Sequence, residues 1–87
     1  MSEHSLLSFP CDIPIKVLGR NGGRFREAAL TIVRAHYKSL ESQNVSEKPS
    51  RGGTYLSLTF TVYAESRAQI DAVYLELTAS DQILMVL

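Results

Sequence analysis

The chain has 87 residues, room for one domain that can bury a modest core without metal or disulfide. Apolar residues make up 45% and charged residues 21%, the balance of a globular protein, and no apolar run approaches the ~18 residues that cross a bilayer. One cysteine, Cys11, excludes an internal disulfide or a cysteine-based zinc cluster, and the first seven residues lack a signal peptide's basic start and apolar stretch, so a cytoplasmic location is expected.

Net charge is zero, but the charges are unevenly placed. Lys16, Arg20, Arg24, Arg26, Arg34 and Lys38 meet only Glu27 in their segment, whereas Glu65, Asp71, Glu76 and Asp81 meet only Arg67 in the C-terminal part. The plain reading is two solvated helix faces with a weak mutual attraction.

In chain order, residues 1–10 read as a flexible tail before a single domain over 11–87. Ile13 to Leu18 alternates as a strand, with Pro14 placed where no ladder bond is needed. Gly19-Arg20-Asn21-Gly22-Gly23 forms a loop, and Asn21 is the expected N-cap of the helix that follows. That helix places Phe25, Ala28, Ala29, Ile32 and Val33 on one face and fades near Ser39 to Ser42. Glu41 to Asn44 reads as a loop, Val45 to Lys48 as a short strand, and Pro49-Ser50-Arg51-Gly52-Gly53 as a turn.

The next strand is the clearest. Leu56, Leu58, Phe60 and Val62 share one face, and Tyr55, Ser57, Thr59, Thr61 and Tyr63 share the other, as in a sheet covered on one side. Ser66-Arg67-Ala68-Gln69 fits a capping box, and Ile70, Val73, Tyr74 and Leu77 recur at helical spacing. Ile83 to Leu87 closes the chain as a last strand. Strand, helix, strand, strand, helix, strand with right-handed crossovers is the α+β ferredoxin-like βαββαβ sandwich. Its four-stranded antiparallel sheet has order 4-1-3-2, with two helices on one face.

Several pieces in order carry a family resemblance: Leu7 with Phe9-Pro10, Lys16-Val17 with Gly19, Arg34 with His36, and Lys48-Pro49-Ser50. Gly53 with Tyr55, Tyr74 with Glu76-Leu77, and Met85-Val86-Leu87 complete the set. Over residues 6–87 the chain resembles the YbeD-like family of small bacterial proteins, with a more polar Ser39 to Glu47 as its one departure. The resemblance implies the same fold and a likeness to ACT regulatory domains, which bind amino acids and commonly pair through their sheets. It supplies no catalytic residue, and fold likeness alone is a weak warrant for function.

The chemistry hosted by this fold narrows further on the residues. A metallochaperone needs a Cys-x-x-Cys pair that the first loop lacks. Gly19 to Arg26 looks like an acylphosphatase phosphate loop, but it is short and the later Asn-bearing segment is missing. Tyr55 and Tyr63 are separated by Ser57, Thr59 and Thr61 without the basic-aromatic RNA-binding pattern, so nucleic acid is disfavoured. His4 lies in the tail, His36 stands alone near a helix end, and Cys11 has no adjacent base. No catalytic residue, metal site or cofactor is therefore expected.

Two candidate surfaces remain. Gly19, Arg20, Asn21, Gly22, Arg24, Lys48 and Arg51 gather at one end of the sheet, beside a helix N-terminus, as a site for a small anionic ligand. Leu18, Tyr55, Tyr63, Leu84 and Val86 place apolar area on the open sheet face, as an interface with a protein partner or a second copy. The expected function is a non-enzymatic, ACT-like regulatory or binding module, with a pure interaction module as the alternative.

Overall fold

The computed structural model describes residues 8–87. Of the tail expected over residues 1–10, residues 1–7, His4 among them, lie outside that range. The elements are β1 (Cys11–Arg20), α1 (Phe25–His36), β2 (Val45–Pro49), β3 (Tyr55–Ala64), α2 (Arg67–Ala79) and β4 (Ile83–Val86). The sheet order is β2-β3-β1-β4 with all neighbours antiparallel, the expected ferredoxin-like topology.

Alternation along β3 does the sorting. Leu56, Leu58, Phe60, Val62 and Ala64 are buried, and the register pairs Ile15 with Phe60 and Val17 with Leu58 on the same face. Phe25, Ala29 and Val33 from α1 and Ile70, Val73 and Leu77 from α2 cover that face. Apart from Ala64 and Ile70, which are buried outside it, these side chains form one core cluster, to which Tyr37, immediately after α1, and Ile83 also belong.

Pro14 sits as expected. Lys16 O accepts the Leu87 N–H at 2.8 Å, so every second residue of β1 turns its backbone groups towards β4. The β1–β4 pairing does not extend to Pro14, and its missing N–H interrupts no bond.

The helix ends are less regular than the sequence suggests. Ser66 Oγ accepts the Gln69 N–H at 3.2 Å as a capping box requires, but Gln69 Oε1 reaches back to the Glu65 N–H at 2.9 Å, one residue before the cap. Between α1 and β2, Ser42–Asn44 forms a 3-10 turn rather than an open loop. It closes when the Asn44 N–H donates to Glu41 O and the Glu41 N–H donates to Asn44 Oδ1.

Candidate functional site

The loop after β1 and the β2–β3 turn meet at one end of the sheet, and Asn21 holds them together. Its backbone N–H donates to Thr54 O and its Nδ2 to Gly53 O, both at 3.0 Å. This corrects the expected N-cap role. Helix α1 begins four residues later at Phe25, beyond the reach of the Asn21 side chain, and Arg24 precedes it with no side-chain cap bond. Asn21→Ala removes the Nδ2 bond. It should cost about 1 kcal/mol and speed hydrogen exchange at its own amide. Unchanged stability and protection in denaturant and exchange measurements would remove the tether.

The other candidate ligand residues divide by role. Gly19 is buried on the core side and supports the ring of Phe25, a packing function rather than a ligand contact. Gly22 is exposed at φ +89°, where a side chain is strained. The Arg20 guanidinium lies 6.0 Å from the centroid of Tyr55, its cross-strand neighbour on the open face. Lys48 stands beside Ser57 on that same open face, and its carbonyl accepts from Ser57 Oγ at 3.2 Å. Arg24 and Arg51 are exposed, and Arg20, Arg24 and Arg51 enter no ion pair among the described residues. Backbone contacts thus join the two loops, while Lys48 belongs to the sheet surface and Gly19 to the core.

The apolar candidates are redistributed by β4. Ile83 pairs with Gly19 and Met85 with Leu18, so Leu84 is the extra residue of a bulge. Val86, expected on the open face, instead pairs with buried Val17 and packs against the core, because the bulge resets the phase of the strand. Met85, opposite half-buried Leu18, takes its place on the open face. Tyr55 and Tyr63 are exposed at opposite ends of β3, opposite Arg20 and Asp12, and form no common patch.

The exposed aliphatic side chains concentrate at the β4 side of the molecule. Leu75 is 72% exposed, Leu84 54%, Met85 50% and Leu87 57%. An open groove of about 420 Å³ runs along α2, lined by Arg67, Ile70, Asp71, Tyr74, Leu75 and Thr78. A smaller hollow of about 210 Å³ lies against β4, lined by Thr78, Ile83, Leu84, Met85 and Val86. Thr78 lines both, which sets the helix flank and the strand edge side by side. Leu75 was missed at sequence level. Its signal was available, since it lies off the Ile70, Val73, Leu77 stripe of a helix whose outer face should be polar.

The two sheet edges differ in kind. Edge strand β2 exposes Ser46, Glu47, Lys48 and Pro49, and Glu47 accepts from Arg26 Nε at 2.7 Å. Charges and proline of this sort keep an edge from pairing with another chain. Edge strand β4, Ile-Leu-Met-Val, carries neither.

Elsewhere, the His36 ring meets Glu76 across the two helices at 2.9 Å, which gives this lone histidine a structural partner. Cys11 is half-buried at the start of β1. No group of three or more His, Cys, Asp or Glu side chains is placed to hold a metal ion, and no helix is long and apolar enough to cross a membrane, among the described residues.

Fold and surface together describe a small ferredoxin-like α+β domain with one guarded sheet edge and one left bare by the described residues. The family profile described as "Protein of unknown function (DUF493)" matches residues 4–87, and the chain belongs to that family, the YbeD-like group. It is 42% identical over 85 residues to a UPF0250 protein of Paraburkholderia phytofirmans, covering 98% of this chain and 96% of that protein. It is 38% identical over 87 residues to a UPF0250 protein of Nitrosomonas europaea, covering 100% of both. The solution structure of protein HP0495 from H. pylori superposes with a TM-score of 0.66 over 93% of this chain and 85% of that one; at 9% identity it shares the fold alone.

Proposed function

We propose that this protein is a non-catalytic binding module of the cytoplasm that works by docking another protein surface along β4 and the outer flank of α2. The observation that carries this reading is the contrast between its two sheet edges. One is guarded by Glu47, Lys48 and Pro49; the other exposes Leu84 and Met85 beside Leu75 and an apolar groove. Unprotected edges are a liability that proteins otherwise suppress, so a bare one flanked by apolar helix surface has the character of an interface. The likeness to ACT-type domains that the family resemblance implies supports a regulatory role for such a module, in which docking transmits or receives a signal.

A photoreactive residue placed at Leu84 should form adducts in living cells of the source organism, and one placed at Ser46 on the guarded edge should not. Adducts at neither position, or at Ser46 alone, would overturn the reading.

A second reading, a small anionic ligand at the loop end, is favoured by one specific observation. Asn21, next to Arg20 at the end of β1, ties together the two loops that carry Arg24 and Arg51, beside a helix start without a side-chain cap. Titration with pooled amino acids, nucleotides and organic acids should then shift the amides of Gly19 to Arg26 and Lys48 to Gly53. A silent titration would remove this reading.

A further inference from the structure

The bare surface has two layers, and that restricts what can cover it. An extended peptide laid along β4 would satisfy the strand edge but leave Leu75 and the α2 groove open. A lone helix in the groove would leave the edge of β4 unpaired. A partner that closes both must present a strand edge and an adjoining helix flank, in the same two layers and with matching character. A second copy of this chain, turned about a two-fold axis normal to the sheet, does so by construction. We infer that the occupant of this surface is a second copy of the protein, with β4 against β4 and α2 against α2. This rests on the docking reading above and names its partner.

Three features suit self-association. First, a two-fold makes β4 antiparallel to its copy, which extends the all-antiparallel β2-β3-β1-β4 sheet without a change of ladder type. Second, Arg67, Asp71, Leu75 and Thr78 lie three to four residues apart, in the row through which antiparallel helices pack side by side. Leu75 is both the most exposed large apolar residue among the described residues and part of that groove, so one copy's Leu75 can fill the groove of the other.

Third, the charges complement themselves. Arg67 opens α2 and Asp81 lies just beyond its end. A two-fold level with Tyr74 sets Arg67 of each copy against Asp81 of the other. Arg67 also reaches Asp71 of its own helix at 3.3 Å, so in the pair it bridges two carboxylates, while Glu76 is engaged with His36 at 2.9 Å.

Sedimentation of the purified full-length chain across a concentration series tests the inference. Wild type should show a monomer–dimer equilibrium. Leu75→Glu and Met85→Glu should each raise its dissociation constant at least about tenfold, because either buries a charge in an apolar contact. Ser46→Glu, on the opposite edge, should leave it unchanged. Arg67→Glu should weaken the dimer, and the swapped pair Arg67→Glu with Asp81→Arg should restore it, a rescue that loss of folding could not produce. A chain that stays monomeric to millimolar concentration would overturn the inference, as would a dimer indifferent to both Leu75→Glu and Met85→Glu. A monomer that still forms adducts with a different protein at Leu84 would overturn the second-copy assignment and leave the docking reading standing. A monomer with no adducts would remove both.

Discussion

Gly19→Ala should unfold this domain more readily than any surface substitution, at a cost of about 3 kcal/mol. A Cβ built on Gly19 overlaps the ring of Phe25, which is 1% exposed at the first turn of α1. Neither partner has room to yield. Gly19 is paired to Leu56 on one side and to Ile83 on the other, at the bulge of β4, and the ring is enclosed by the core cluster. A stability of about 5–15 kcal/mol is usual for small domains, so the loss is a large share of the whole.

Phe25→Ala should cost about 4 kcal/mol by leaving a cavity in the same place. If overlap is the cause, Gly19→Ala combined with Phe25→Leu should cost less than the sum of the single changes, because the smaller side chain makes room for the methyl group. Gly22→Ala provides the contrast: nothing lies within 4 Å of its built Cβ, and only its backbone at φ +89° is strained, for about 1 kcal/mol. Denaturant unfolding of the five variants, Phe25→Leu alone included, separates packing from backbone conformation. A Gly19→Ala protein as stable as wild type would refute the packing account.

Tyr37→Phe should act in the opposite direction, stabilising the domain by about 1 kcal/mol at neutral pH. Tyr37 is 4% exposed, and its hydroxyl is buried with no hydrogen-bond partner among the described residues. Burial without a partner costs the hydroxyl its hydration and returns nothing, while phenylalanine keeps the ring contacts. The substitution should also change the response to alkali. Burial, with a smaller contribution from the Tyr74 phenol, raises the pKa of Tyr37 above its ordinary 10.0, and burial raises that of Tyr74. The folded state therefore holds these protons to higher pH than the unfolded chain does. The stability they carry is fully present below about pH 10 and is lost as pH rises through the raised values. Removing the Tyr37 hydroxyl should make that alkaline loss shallower, with the Tyr74 share remaining. Thermal unfolding of both proteins from pH 7 to 11 checks both parts. A destabilised Tyr37→Phe protein would mean that the hydroxyl has a partner.

What was legible in the sequence was what repeats. The alternation of β3 specified its buried face residue by residue, and the spacing of Ile70, Val73 and Leu77 specified the face of α2 that meets the core. Features that depend on one contact between distant residues were not legible. Asn21 resembles an N-cap because it precedes a helical pattern, but its amide is taken by Gly53, 32 residues away. β4 is apolar at every position, so its pattern carries no phase. The bulge at Leu84 decides that Val86 turns inward and Met85 outward. The edge contrast was legible in part: Glu47-Lys48-Pro49 against Leu84-Met85-Val86 is visible as composition. Only the sheet order makes both strands edges, and only packing places Leu75 beside the second.

The most direct test of the second-copy assignment on this surface is the amide spectrum of the isotopically labelled chain, followed from dilute to concentrated solution. The account predicts shifts and broadening that grow with concentration at Asp71, Leu75, Thr78, Leu84 and Met85, while Ser46 to Lys48 and Gly19 to Arg24 stay still. A spectrum that does not change with concentration, or one that changes chiefly along β2 or the arginine-bearing loops, would contradict it.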